Sequence, residues 1–150
     1  MKNIHLLFII IVMATTFLHG QHTTPDDKQR KDISALIDKY SQAREKRDTA
    51  LLKDILTSDV DQLVSTGEWR NGIGASVKGM LSSSANSPGT RTLNVDKIKL
   101  LSATSAIVDC KYEIQNPNGN TRRMWSTFIV VSNKGIWKIS AIRNMLPTGQ

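Results

Sequence analysis

The stretch 61–72, with the sequence DQLVSTGEWRNG, concentrates the side chains that could do chemistry in the middle of the chain. Between two glycine-containing breaks it places a carboxylate, an aromatic ring and a guanidinium: Glu68, Trp69 and Arg70. Binding and catalytic side chains are often carried by such loops between regular elements. We therefore take this stretch as a candidate catalytic loop.

Histidine is confined to the beginning of the chain, at His5, His19 and His22. The rest of the sequence therefore lacks the usual general base, a serine–histidine–aspartate triad and the donors of most metal sites. The glycines from Gly67 to Gly79 do not have the spacing of a dinucleotide or phosphate-binding loop. We expect no metal and no cofactor.

The first twenty residues have the pattern of a secretory signal. Lys2 precedes an apolar run from Ile4 to Val12, and Gly20 offers a small residue at a cleavage point. The run is shorter than the roughly 20 apolar residues that a membrane span needs. We predict a cleaved signal over 1–20 and a secreted or periplasmic protein without a stable membrane anchor; an uncleaved anchor is the alternative.

The chain of 150 residues predicts one domain. Cys110 is its single cysteine, which excludes an intrachain disulfide and is interpreted as a small buried hydrophobe rather than a reactive thiol. The net charge is +7, but lysines and arginines are scattered among acids. No recognition motif accompanies them, so we expect a solvated basic surface and no nucleic acid partner.

Three helices are expected. The first, ending near Lys46, carries apolar side chains at helical spacing: Ile33, Leu36, Ile37 and Tyr40. Asp48 should cap the second helix, because a carboxylate there accepts a free backbone N–H group. The third should begin near Ile73 and give way to a loop over 82–90.

Strand-like patterns predict five strands: 60–66, 91–101, 105–115, 122–132 and 136–144. Apolar and polar residues alternate regularly along 105–115, whereas 122–132 is a denser apolar run. A change of phase near Asp96 predicts a β-bulge, and the sequence NPNGN at 116–120 predicts a hairpin turn. Strand 122–132 is apolar on both faces, which favours a central strand and a homodimer formed through the outer face of the sheet.

The order of these elements, α-α-β-α-β-β-β-β, favours an α+β domain with a curved, mostly antiparallel sheet wrapped around helix one. A sheet bent over a long helix leaves a cavity between the two, and such cavities are natural sites for small molecules.

This order resembles the nuclear transport factor two-like (NTF2-like) superfamily. The resemblance includes Tyr40 on helix one, Asp48, the passage from Gly67 to Gly72, and GIWKI in the last hairpin. It implies the cone-shaped, cystatin-like fold of ketosteroid isomerase and the SnoaL-like cyclases, with its helices gathered in the N-terminal part.

Three segments resemble the narrower SgcJ/EcaC group, whose members are mostly uncharacterised: 61–70, 124–128 and 141–147. The SnoaL-like domain should then span 32–147, after a polar leader over 21–31 and before a tail over 148–150.

The comparison with ketosteroid isomerase puts Tyr40 at the family's oxyanion-hole tyrosine, its general base at Val64 and its second proton donor at Thr127. Val64 cannot accept a proton, so the resemblance implies the fold without that chemistry. Asp61, three residues earlier, should face the other side of a regular strand. Tyr40 and Asp61 are weak catalytic candidates.

The resemblance also implies that 123, 125 and 127 point into the cone. The expected ligand-binding residues are Tyr40, Gln62, Val64, Trp69, Arg123, Trp125, Thr127 and Asn144. Two functions follow as hypotheses. The first is an exported protein that binds a small apolar or oxygen-bearing molecule. The alternative is an acid–base enzyme of the isomerase, cyclase or hydrolase kind, without metal or nucleotide cofactor.

Overall fold

The structure, a computed structural model, describes residues 27–147; the predicted signal over 1–20 lies outside them. Its three helices are α1 (Asp27–Lys46), α2 (Thr49–Ile55) and α3 (Gly72–Asn86). Its six strands are β1 (Leu56–Leu63), β2 (Trp69–Asn71), β3 (Thr90–Ser102), β4 (Ser105–Gln115), β5 (Thr121–Asn133) and β6 (Ile136–Met145). None of the helices within residues 27–147 combines the length and the apolar character that a bilayer crossing demands.

The strands form one mixed sheet in the order β2-β1-β6-β5-β4-β3. Only the β1–β6 pair within it is parallel, so the prediction of an α+β domain with a mostly antiparallel sheet is confirmed. Two helices precede the sheet, whereas α3 connects β2 to β3. The predicted bulge near Asp96 is confirmed by a register shift between Val95 and Lys97.

Helix α1 is held by the apolar face expected from the sequence, with Ile33 and Ile37 fully buried. It ends where Arg47 adopts a left-handed φ of 53° and the Asp48 N–H donates to the Ala43 carbonyl. Asp48 then caps α2, because its carboxylate accepts from the Leu51 N–H at 2.9 Å. The predicted cap is confirmed.

Strict alternation along β5 gives the sheet two different faces. Met124, Ser126, Phe128 and Val130 are buried and face α1 and α3; we call this side the inner face. Phe128 meets the ring of Tyr40 edge-on, with 5.2 Å between centroids. The odd-numbered residues of β5 are on the opposite side, the outer face.

Cys110 belongs to this inner face and is fully buried, as predicted. Burial raises the pKa of its thiol to about 12, and nearby carboxylates add to the rise. At neutral pH the side chain is therefore a thiol packed as a hydrophobe.

Two predicted boundaries were wrong. Strand β1 begins at Leu56, directly after α2, and not at residue 60. Helix α3 continues to Asn86 through the serines expected to form a loop. The helix continues because Ser84 is buried against Arg44 and accepts hydrogen bonds from it, so tertiary contacts override the weak helix propensity of serine.

Candidate functional site

A cavity of about 230 Å³ opens between α1, α3 and the inner face of the sheet. Its floor consists of buried side chains: Arg44, Gln62, Tyr112, Ile114 and Met124. Its mouth consists of exposed ones: Thr66, Glu68, Ser87 and Arg122. We call it the arginine pocket, because the charged groups of its lining are Arg44, Arg70, Arg91 and Arg122 against the single carboxylate of Glu68, a formal charge of +3.

Arg44 is the deepest of these cations, with only 7% of the residue exposed. Its Nη1 donates to the Tyr40 hydroxyl at 3.0 Å, and its Nε and Nη2 approach the Ser84 hydroxyl at 3.4 and 3.3 Å. Within residues 27–147 it forms no ion pair with a carboxylate. A buried charge without an opposite charge is costly, so this guanidinium has the environment of an anion-binding group.

The partners of Arg44 are neutral. Burial raises the pKa of Tyr40, and the neighbouring Arg44 offsets that rise only in part, so Tyr40 is an uncharged phenol at neutral pH. Burial alone would lower the pKa of Arg44, but the oxygens of Tyr40 and Tyr112 outweigh it and the pKa is raised. The floor of the pocket therefore carries a permanent positive charge.

Arg70 is fixed on three sides. Its Nε pairs with Glu68 Oε1 at 2.8 Å and its Nη1 donates to Gln62 Oε1 at 3.3 Å. The guanidinium also lies over Gly79 of α3, where a Cβ atom would stand 2.5 Å from the Arg70 Cδ and Cζ atoms. Gly79, which weakens the helical pattern of the sequence, is thus the residue that makes room for Arg70.

Arg91 binds the end of α3, donating to the carbonyls of Ser83 at 3.4 Å and Ser87 at 2.5 Å. These carbonyls form the negative end of the helix dipole, which favours a cation. The Arg91 Nε is buried and has no hydrogen-bond partner. At the mouth, Arg122 Nη2 donates to the Ser65 hydroxyl at 2.8 Å. Neither guanidinium pairs with a carboxylate of the described chain.

Three of the predicted site residues line this pocket, namely Gln62, Val64 and Asn144. Gln62 is buried and holds Arg70, while Asn144 accepts a hydrogen bond from Ser126 at 2.6 Å. Tyr40 lies behind the lining and reaches it through Arg44. Val64 is part of the wall, so the position compared with a general base carries no proton acceptor.

The expected inward orientation of Arg123, Trp125 and Thr127 is wrong. All three lie on the outer face: Arg123 pairs with Glu113 at 3.1 Å, and Thr127 donates to Asp109 at 2.7 Å. The Trp125 ring lies 5.9 Å from the Lys111 ammonium nitrogen. Because side chains alternate along a strand, an error of one residue in the comparison exchanges the two faces. Arg122 and Met124, their neighbours, line the pocket instead.

Asp61 and Trp69 also lie outside the pocket. Asp61 makes a two-point ion pair with Arg143, at 2.8 and 3.1 Å. The Arg143 guanidinium lies 4.8 Å from the centre of the Trp69 ring, and Trp69 is 53% exposed. Asp61 therefore supplies no base to the arginine pocket, in line with its expected position on the opposite face from Val64.

Arg44 was missed in the sequence although it carries a signal. It follows Tyr40 by four residues and so continues the apolar face of α1. Arg70, by contrast, was part of the candidate loop 61–72, which the structure resolves into the end of β1, a turn, β2 and the start of α3. Among residues 27–147 no group of three or more metal-ligand side chains is placed to hold a metal ion.

Comparison with known proteins identifies the fold. No protein-family model and no curated protein matches the sequence. A cystatin-like protein of unknown function from Nostoc punctiforme superposes with a TM-score of 0.73 at 12% identity, over 85% of this chain and 97% of that one. An NTF2-like protein of unknown function from Shewanella oneidensis gives 0.63 at 20% identity, over 77% and 98%. The chain has the NTF2-like fold.

A third NTF2-like structure, from Streptomyces avermitilis and named as a candidate dehydratase, superposes with a TM-score of 0.69 at 13% identity, over 82% of this chain and 99% of that one. Identities this low show the NTF2-like fold alone. The predicted superfamily resemblance is confirmed at that level, and membership of the SgcJ/EcaC group stays a prediction.

Proposed function

We propose that this NTF2-like protein is exported and binds a small organic anion, such as a carboxylate, in the arginine pocket, without catalysis of its own. The observation that carries the proposal is Arg44, a buried guanidinium whose hydrogen-bond partners are neutral. Guanidinium groups bind carboxylates through paired, charge-assisted hydrogen bonds. A carboxylate on Arg44 would supply the missing opposite charge.

The size and lining of the pocket support a small, oxygen-bearing ligand. Its volume of about 230 Å³ is below that of pockets for drug-sized molecules, which hold roughly 300–1,000 Å³. Binding of an apolar ligand would be unfavourable, because it would displace water from four guanidinium groups without replacing the lost hydrogen bonds. We therefore propose an oxygen-bearing ligand and not an apolar one.

An acid–base enzyme is less well supported by the titratable groups at the pocket. Hydrogen bonding and charge from Arg70 lower the pKa of Glu68, which makes its carboxylate a weaker base. Burial raises the pKa of Tyr40, which makes its phenol a weaker acid. General acid–base catalysis works best with pKa values near the working pH, and both groups are shifted away from it.

The proposal is tested by calorimetric titration of the chain lacking 1–20 with a panel of short carboxylates, and with neutral amides of the same size. We expect the carboxylates to bind and the amides not to bind. Equal binding of acids and amides, or no binding by any acid, would contradict the proposed function.

The homodimer remains a proposal, supported by the apolar side chains of the outer face. Ile129 and Val131 of β5 share that side with Trp125 and Met145, which are partly exposed. We expect sedimentation velocity to show a dimer, and Ile129→Lys to dissociate it because a charge would be buried in the interface. Sedimentation of the unsubstituted chain as a monomer at micromolar concentration would rule the dimer out.

A further inference from the structure

Three cations of the arginine pocket, Arg44, Arg91 and Arg122, pair with no carboxylate of residues 27–147, and two of them lie at opposite ends of the pocket. Arg44 is at the floor, buried between Tyr40 and Ser84. Arg122 is at the mouth, exposed and held by Ser65. One monoanion on Arg44 would leave the lining with a formal charge of +2, since Glu68 already pairs with Arg70.

An apolar strip separates the two depths. Met124 of β5 lies opposite Tyr112 of β4, and Tyr112 is beside Arg44. In the next inward-facing row of the two strands, Arg122 lies opposite Ile114. Consecutive inward-facing residues on a strand are about 6.6 Å apart. A few methylene groups therefore cover the distance between the row beside Arg44 and the row of Arg122, along the side chains of Met124 and Ile114.

We infer that the ligand is a short dicarboxylate, with one carboxylate on Arg44, the other on Arg122 and its methylene chain against Met124 and Ile114. This inference rests on the proposed function, because it assigns the second end of a ligand whose first end Arg44 binds. Arg91, with its buried and unpartnered Nε, adds positive charge to the same wall.

The strand supplies a matched pair of variants for the test. Arg122 and Arg123 are adjacent and both exposed, but Arg122 lines the pocket and Arg123 lies on the outer face with Glu113. Arg122→Gln and Arg123→Gln therefore make the same chemical change on opposite sides of one strand. Thermal unfolding of each variant checks that the fold is retained.

Glutarate and pentanoate have the same number of carbon atoms and differ in the second carboxylate. We expect glutarate to bind about tenfold more tightly than pentanoate at low salt, because the second pair is exposed and solvent-screened. Arg122→Gln should reduce glutarate affinity to that of pentanoate and leave pentanoate within about twofold, whereas Arg123→Gln should change neither. Raising the salt concentration should narrow the difference between the ligands.

Equal affinity for the two ligands in the unsubstituted chain would overturn the dicarboxylate inference and leave the proposed anion binding intact. If Arg122→Gln lowers the affinities for glutarate and pentanoate by the same factor, the inference is also overturned, since Arg122 would then not act on the second carboxylate. Binding of neither ligand by the unsubstituted chain would remove the proposed function and the inference together.

Discussion

Arg44→Met should abolish measurable carboxylate binding while leaving the fold at least as stable as before. A buried, charge-assisted pair is worth several kcal/mol to a complex, and about 2–4 kcal/mol corresponds to a loss of roughly 30- to 1,000-fold in affinity. Without ligand, Arg44 is a buried cation with neutral partners. Replacing such a charge by an apolar side chain of similar length is often neutral or stabilising.

The measurement has two parts, calorimetric titration with glutarate and chemical unfolding without ligand. Arg123→Gln, on the outer face, is the control and should change neither. Arg44→Lys keeps the charge but not the planar fork, so intermediate affinity is expected. If Arg44→Met keeps its affinity for glutarate within about twofold, the anion-binding role is contradicted. A loss of about 3 kcal/mol of stability would show that the fold needs the hydrogen bonds of Arg44 to Tyr40 and Ser84.

Gly79→Ala should weaken ligand binding by roughly tenfold, because separating Arg70 from Glu68 would leave an unpaired carboxylate at the mouth of the anion site. The loss is expected although alanine favours helices by about 1 kcal/mol over glycine. The added methyl group would overlap the guanidinium of Arg70 and push it away from Gln62 and Glu68. The lost hydrogen bonds, each worth about 1 kcal/mol, should cancel the gain in helix propensity. Titration and unfolding of the same preparation measure both effects.

Gly74→Ala is the matched control, because Gly74 is in the same helix and a Cβ atom there meets nothing within 4 Å. It should raise the free energy of unfolding by at most about 1 kcal/mol and leave binding unchanged. Gly79→Ala should therefore be less stable than Gly74→Ala by about 1–2 kcal/mol. Indistinguishable behaviour of the two variants would show that Arg70 does not depend on Gly79.

The fold was predictable because its signals are local and repeated. The apolar face of α1, the Asp48 cap and the alternation along β4 each specify one element from a few neighbouring residues. The end of α3 was not predictable in this way, because Ser84 is held in the helix by Arg44, forty residues earlier in the chain.

The site was harder to predict because it depends on which face each strand residue occupies. Gln62, Val64 and Asn144 line the pocket, whereas residues 123, 125 and 127 were assigned to the wrong face by one residue. The β5 pattern, apolar at Ile129 and Val131 as well as at Phe128 and Val130, does not identify the inward side by itself. Only the pairing of the strand and the helices packed on it determine that side.

The burial of Cys110 withholds the single cysteine of the sequence from thiol–disulfide exchange. Thiol–disulfide exchange proceeds through the thiolate, and a buried thiol with a pKa of about 12 offers almost none at neutral pH and no access for an attacking disulfide. Because it is the single cysteine of the sequence, we expect the folded protein to form no mixed disulfide with a small thiol. Its stability and ligand binding should therefore be the same in glutathione buffers of any oxidation state.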